Sequence, residues 1–307
     1  MTGPESPAIA AIAAAGAHGG RPDADVEVTP ALVRALLAEQ HPDLSNLPLS
    51  VVAEGWDNAM LRLGDELVVR LPRRAGSVVG LENEQRWLAE LAPSLPQPIP
   101  VPVRIGVPGA GYPYPWTIAP WLDGLPATER PLTRAGQADL AAFLRALHLP
   151  APAGAPHNLF RGIALVDRAE AFGERLARAA ARGVDVSAAE RHWSAGLAAP
   201  IAESNVWLHG DVHCGNLLTG GDGRLAAVLD WNDVCAGDPA SDLAAAWLVA
   251  TDPGAFLAAY GPVSPALRAR SAAWAAYLAL MFLEADAPGD TQHRTTAEGA
   301  FRRLAID

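Results

Sequence analysis

The stretch from His209 to Asp230 constrains this chain more than any other. A short apolar run, Val206-Trp207-Leu208, reads as a strand that delivers His209-Gly210-Asp211 to a loop, and Asn216 follows Asp211 by five positions. Leu217-Leu218 and Leu225 to Leu229 then flank the glycine-rich turn Thr219-Gly220-Gly221-Asp222-Gly223, which predicts a hairpin. A hairpin returns the backbone to its starting point, so Asp230 comes back beside Asp211 and Asn216. Any fold containing this segment must gather two carboxylates and an amide at one strand end. A loop carboxylate there can accept a hydrogen bond from a substrate hydroxyl. The amide oxygen of Asn216 is a hard donor suited to Mg²⁺.

The order of these groups adds chemistry to the geometry. An Asp, an Asn five residues on and a later Asp is the order in which protein kinases place a hydroxyl-orienting Asp and two metal ligands. Kinase-type phosphoryl transfer is therefore expected, with Asp211 as base or orienter and Asn216 and Asp230 as the metal ligands.

Composition excludes several other classes. Half of the 307 residues are apolar and 19% are charged, a globular balance with enough chain for two lobes and a real core. Net charge is −11, so the basic footprint of a nucleic-acid binder is missing; an acidic surface tolerates a cationic small molecule, or serves solubility alone. All 23 basic residues are Arg, which with abundant Ala, Gly and Pro fits a GC-rich bacterial genome. Cys214 and Cys235 are too few for a disulfide framework and read as ordinary thiols in a cytoplasmic protein. The longest apolar run, Ala272 to Leu283, is too short for a bilayer, and the Ala-rich start has no basic region of a signal peptide. No membrane partner is expected; monomer and dimer both remain open.

Periodicity divides the chain. Residues 1–25 read as a flexible arm. Thr29-Pro30 starts a helix, with Leu32, Val33, Leu36 and Leu37 on one face. Strands are predicted at Leu49 to Glu54, Ala59 to Leu63, Leu67 to Leu71, Val101 to Val107 and Trp116 to Ala119, with a helix over Leu81 to Leu91 inserted among them. Past Asp123-Gly124 the pattern turns helical, near 140–147, 165–182, 187–198, 239–250, 253–260, 265–285 and 291–305. The expected fold class is α+β: an antiparallel N-lobe sheet over 26–122, a mainly helical C-lobe over 123–307, and an active site in the cleft.

The segments LHGDVHCGNLL and VLDWNDVCAGDPASDLA resemble the catalytic segment of the aminoglycoside phosphotransferase family, whose fold is protein-kinase-like. His209, Asp211, Asn216, Asp230, Trp231, Gly237, Asp238, Pro239 and Asp242 each match an element of that family's pattern. EGWDNAMLRLGDELVVRLPRR, LENEQRWLAEL and PWTIAPWLDG resemble, more loosely, its nucleotide loop, central helix and hinge. The resemblance implies ATP or GTP with Mg²⁺ as cofactors. It implies His209 and Asp242 as braces of the catalytic loop, Asp238 as a helix cap, and Ala119 and Trp121 as backbone readers of the purine edge.

On the nucleotide side, Gly55 and Asn58 lie in the loop that would cover the phosphates, although Gly55 to Asn58 is also an ordinary hairpin turn. Kinases place a Lys on the third strand, paired with a helix Glu. Here Arg70 holds that place, sharing a strand face with Val68. A guanidinium grips phosphate differently from an ammonium. Glu84 is its expected partner and Glu82 the competitor; a surface Arg70 is the alternative.

For the acceptor, Asp233, Glu284 and Asp286 form a candidate acidic wall. The expected reaction is O-phosphorylation of a small molecule, an aminoglycoside-type antibiotic first. A macrolide, or a metabolic acceptor such as an amino alcohol, homoserine-like compound or sugar, is the alternative. A non-catalytic nucleotide-binding module is the last reading, opposed by the intact Asp211, Asn216 and Asp230.

Overall fold

A computed structural model describes residues 23–54, 57–284 and 291–307. Gly55 and Asp286, both singled out above, lie outside them, as does most of the expected arm. The chain divides into two compact units: one runs to Pro93 and resumes over Ile99–Leu122, the other comprises Ser94–Pro98 and Asp123–Asp307.

The first unit is a five-stranded antiparallel sheet with two helices. α1 (Pro30–Gln40) starts where the Thr29 hydroxyl accepts from Leu32 N, with Pro at the first turn. β1 (Leu49–Glu54), β2 (Asn58–Leu63) and β3 (Leu67–Pro72) follow as a meander, then α2 (Val78–Leu91), β4 (Arg104–Gly106) and β5 (Trp116–Pro120). Strand order is β1-β2-β3-β5-β4. Alternation along β2 and β3 sends Leu61, Leu63, Val69 and Leu71 to one face, where they meet Val33, Leu36 and Leu37 of α1 and Trp116 and Ile118 of β5. Val68 and Arg70 face the other way and are buried as well. The strand expected over Val101 to Val107 shrinks to Arg104–Gly106, because Pro100 and Pro102 cannot donate to a ladder. Gly106 is needed there: a Cβ would lie 1.9 Å from the Trp116 ring.

The second unit is mainly helical, with three short strand pairings. Its elements are β6 (Leu125–Pro126), α3 (Arg134–Leu147), α4 (Ala169–Ala181), α5 (Ser187–Ala198), β7 (Val206–Leu208), β8 (Leu217–Thr219), β9 (Leu225–Val228), β10 (Cys235–Gly237), α6 (Ala240–Leu243), α7 (Ala245–Leu248), α8 (Pro253–Tyr260), α9 (Pro265–Glu284) and α10 (Thr291–Ile306). α9 is buried nearly all round, with Trp274 and Ala273 fully enclosed, and packs on α5 and α10. The expected 239–250 helix is two short helices that turn at Ala244, whose ψ is −24°. Likewise 165–182 begins with a 3₁₀ turn, Leu165–Arg168. No described helix is long and apolar enough to cross a membrane.

What positions the site is the β7–loop–β8–β9 sequence. β8 and β9 pair antiparallel through Leu217↔Val228, so the hairpin expected from the glycine-rich turn forms. β7 pairs with β10, which fixes the strand that delivers the loop carrying Asp211.

Candidate active site

Asp211, Asn216 and Asp230 converge as the hairpin requires. Asn216 Nδ2 donates to the Asp211 carbonyl at 2.9 Å and to Asp211 Oδ2 at 3.2 Å. That leaves the Asn216 amide oxygen as the group to face a cation. The Asn216 carbonyl accepts from Leu229 N at 2.8 Å, which holds the neighbouring Asp230 alongside. Asp230 is exposed, accepts from Asn232 Nδ2 at 3.0 Å, and has a left-handed backbone with φ +57°. A non-glycine residue held there costs on the order of 1–3 kcal/mol, a strain typical of ligand-holding positions.

The loop is braced from beneath. The fully buried His209 accepts from Asp211 N through Nδ1 at 3.2 Å, and its Nε2 lies 2.9 Å from the Leu229 carbonyl, which fixes the tautomer with hydrogen on Nε2. Asp242 accepts from His209 N at 2.8 Å and Gly210 N at 2.9 Å, and His148 Nε2 lies 3.3 Å away. Burial opposes the Asp242 charge; His148, His209 and the Gly210 N–H outweigh it and hold its pKa below the usual carboxylate range. Gly210 has φ +88°, and a Cβ there would lie 2.5 Å from the Asp233 carbonyl oxygen. Pro239 rather than Asp238 is the cap residue of α6; Asp238, one residue earlier, accepts from Ala240 N at 3.1 Å and pairs with Arg270 at 2.7 Å.

Two basic side chains around Asp211 are not visible as partners in the sequence. His213 Nε2 lies 3.3 Å from Asp211 Oδ2, and Arg161 donates to Asp211 Oδ1 at 3.4 Å. Burial works against the Asp211 charge, but His213 and Arg161 prevail and hold its pKa far below the usual range. The same pairing raises His213 against its own burial. Asp211 is thus ionised throughout the physiological range, suited to orienting a hydroxyl more than to storing its proton. Arg161 reaches the loop from fifty residues upstream on a turn made by Asn158, whose side-chain oxygen accepts from Phe160 N at 2.8 Å and Arg161 N at 3.2 Å. An Asn before an aromatic and a Gly-bounded Arg was the available signal, a turn signature without a stated target.

The expected acidic wall is not a set of free carboxylates. Glu284 is ion-paired with Arg175 and Arg178, which lie one turn apart on α4 and offset its charge at the end of α9. Asp233 Oδ1 accepts from Asn158 Nδ2 at 2.7 Å, and burial pushes its pKa up against the opposing pull of Arg161. Asp286 lies outside the described residues.

In the first unit, Arg70 is buried and its NH1 donates to Glu84 Oε2 at 2.6 Å; Glu82 is exposed. Asn58 is buried with its Oδ1 lacking a hydrogen-bond partner. Val68 and Ala119 are in register across β3 and β5. Trp121 N–H donates to the Glu66 carbonyl at 2.7 Å, which removes that donor from the expected purine contact.

Among the described residues no group of three His, Cys, Asp or Glu could hold a metal alone. Asn216 and Asp230 supply two protein oxygens, and Mg²⁺ is commonly held by one or two such ligands with substrate phosphates completing the shell. The donor set fits that ion.

The profile of a family described as "phosphotransferase enzyme family" matches residues 48–280. The chain belongs to this family. As a phosphotransferase it shares the family's kinase-like fold, antiparallel N-terminal sheet followed by helices, with several solved structures. The GDP complex of aminoglycoside 2'-phosphotransferase-IIIa is 16% identical, covers 91% of this chain and 99% of that one, and gives a TM-score of 0.63. The GDP and kanamycin complex of APH(2")-IIia is 19% identical, with coverages of 88% and 96% and a TM-score of 0.64. Macrolide 2'-phosphotransferase MphH from Brachybacterium faecium is 25% identical, with coverages of 89% and 98% and a TM-score of 0.59. Among curated protein sequences none matches.

Proposed function

We propose that this phosphotransferase moves the γ-phosphoryl group of ATP or GTP to a hydroxyl of a small molecule, with Asp211 orienting the hydroxyl and Asn216 and Asp230 holding Mg²⁺. The observation that carries this reading is the convergence of those three side chains, fastened by Asn216 to Asp211 and by the Asn216 carbonyl to Leu229 N. Bound Mg²⁺ would neutralise charge developing on the phosphate oxygens. Asp211, already ionised, accepts the hydroxyl hydrogen bond and aims the oxygen for in-line attack. Arg70, pinned by Glu84, is the phosphate-positioning cation in a chain without Lys, and the unpartnered Asn58 Oδ1 is a further contact on the nucleotide side. Similar structures hold GDP, and others ADP or ATP, which supports a purine nucleotide as donor.

For the acceptor, an aminoglycoside-type antibiotic remains the first reading, supported by the net charge of −11 and by the kanamycin and gentamicin complexes of similar proteins. One observation favours a second. Glu284 is neutralised by two arginines, and Asp233 is hydrogen-bonded by Asn158 and pushed by burial toward its neutral form, so neither offers a free charge to a polycation. A less charged acceptor such as a macrolide suits those walls better. Incubation with Mg·ATP or Mg·GTP and a panel of both antibiotic classes, read by mass gain of one phosphate, tests both readings. No gain on any member would sink the antibiotic assignment.

A further inference from the structure

Arg161 is a buried cation beside Asp211 to which no part in the transfer step has yet been given. It is 9% exposed, and its Nε is buried without a hydrogen-bond partner. Its contact with Asp211 Oδ1 is 3.4 Å, at the long limit of a hydrogen bond. Buried structural pairs in this chain close further: Arg70 on Glu84 at 2.6 Å and Arg270 on Asp238 at 2.7 Å, the latter with a second contact at 3.2 Å. Arg161 is therefore held near Asp211 without being committed to it. The backbone on either side is fixed. Asn158 anchors the turn to Asp233, and the Gly162 carbonyl accepts from Asp238 N at 2.9 Å. Gly162 has φ +64°, and a Cβ there would lie 2.4 Å from Leu208 Cδ1, so the turn is pressed onto β7 itself.

A fixed guanidinium with spare donors beside the hydroxyl-orienting carboxylate needs an anion. When a phosphoryl group lands on an oxygen hydrogen-bonded to Asp211, its equatorial oxygens come beside the carboxylates of Asp211 and Asp230, groups of like charge. The chain has no Lys, so Arg and His must supply the compensation. His213 covers the Oδ2 side of Asp211, and Arg161 covers the Oδ1 side.

We propose that Arg161 grips the transferring phosphoryl group, its Nε–H and terminal N–H donors meeting the equatorial oxygens during transfer. This rests on the phosphotransferase reading above. In the step, the acceptor oxygen forms its bond to the γ-phosphorus as the bond from that phosphorus to the β,γ-bridging oxygen breaks. The electron pair of the broken bond leaves with the nucleoside diphosphate, and the hydroxyl proton passes through Asp211 to solvent. Arg161 keeps all its protons and acts by charge and hydrogen bonding alone, the most effective device for this chemistry.

The test uses the full chain, wild type, Arg161→Met and Arg161→Lys, with Mg·ADP and Mg·GDP as probes, each with and without aluminium fluoride, a mimic of the phosphoryl group in flight. Calorimetry reads affinity; release of phosphate from Mg·ATP and Mg·GTP reads hydrolysis with water as acceptor. For Arg161→Met the expected result is diphosphate affinity within a few-fold of wild type, with the extra affinity conferred by fluoride and the hydrolysis rate both reduced about 100-fold or more. Arg161→Lys, which keeps charge but loses the fork, should recover part of both losses. A full fluoride enhancement in folded Arg161→Met overturns the proposal. Should that variant fail to fold, Arg161→Lys decides: parity with wild type overturns the proposal, and a loss of about tenfold or more in the fluoride enhancement alone supports it. Wild-type protein that neither binds Mg·diphosphate nor hydrolyses triphosphate overturns the phosphotransferase reading itself, and the role of Arg161 with it.

Discussion

Replacing Asp242 by Asn removes one charge from beneath the catalytic loop while preserving the shape of the side chain. The two carboxylate oxygens serve different donors: Oδ2 takes His209 N at 2.8 Å and Oδ1 takes Gly210 N at 2.9 Å. An amide has one oxygen, so whichever way it turns, one backbone N–H faces an NH₂ group. The variant forfeits a hydrogen bond to a charged group, about 1.5–3 kcal/mol, and leaves a buried donor unpaired, about 1–3 kcal/mol more. A loss of about 3 kcal/mol is expected after relaxation, or a fall in Tm on the order of 6–12 °C for a unit of this size. The assay is urea or thermal unfolding of wild type and variant across pH. The folded Asp242 pKa is depressed, so its contribution is fully present above the unfolded carboxylate value near ~4 and is lost as pH falls through the lower folded value. The gap should therefore hold at neutral pH and narrow below about pH 4. A neutral-pH gap under about 1 kcal/mol, or one that widens on acidification, would refute the bracing argument.

Other substitutions probe the remaining parts. Asp211→Ala should lower kcat by roughly 10²–10⁴ with nucleotide affinity little changed; unchanged turnover would remove Asp211 from the mechanism. Asp230→Ala should abolish the metal dependence of nucleotide binding, and calorimetry showing normal Mg·ATP affinity would contradict that assignment. Arg70→Met takes away the 2.6 Å ion-pair partner of Glu84, a carboxylate at 1% side-chain exposure, and a loss of about 3–5 kcal/mol is expected. Adding Glu84→Gln to it should restore much of that stability without restoring activity. Gly106→Ala should cost about 1–3 kcal/mol or more, because Trp116 is fully enclosed and cannot retreat from the new methyl group.

What the sequence disclosed follows from range. The hairpin that carries Asp230 back is written in adjacent residues, with turn glycines between apolar runs, and the same is true of the Thr29 cap and the β2–β3 meander turning at Gly64. The Arg70–Glu84 pair could be anticipated because strand and helix periodicity each fix a face. Arg161, Asn158, His148 and His213 stayed illegible as partners of the loop. The first three sit 50 or more residues from what they touch, and no local pattern states where a loop docks. His213 lies inside the motif, but its aim at Asp211 depends on the Nδ1 contact with Gly215 N, a detail of side-chain rotation. The acidic wall dissolved for a similar reason. Glu284 is a helix-end carboxylate in one dimension and the centre of a two-arginine ion pair in three.

The central claim is that Asn216 and Asp230 hold the metal while Asp211 stays free for the acceptor. A crystal structure with Mg²⁺ and a non-hydrolysable ATP or GTP analogue tests it most directly. The account predicts Mg²⁺ bound to the Asn216 amide oxygen and the Asp230 carboxylate at about 2.0–2.1 Å, with phosphate oxygens completing the shell and Asp211 outside it. A metal centred on Asp211 and Asp233, with Asn216 turned away, would contradict it.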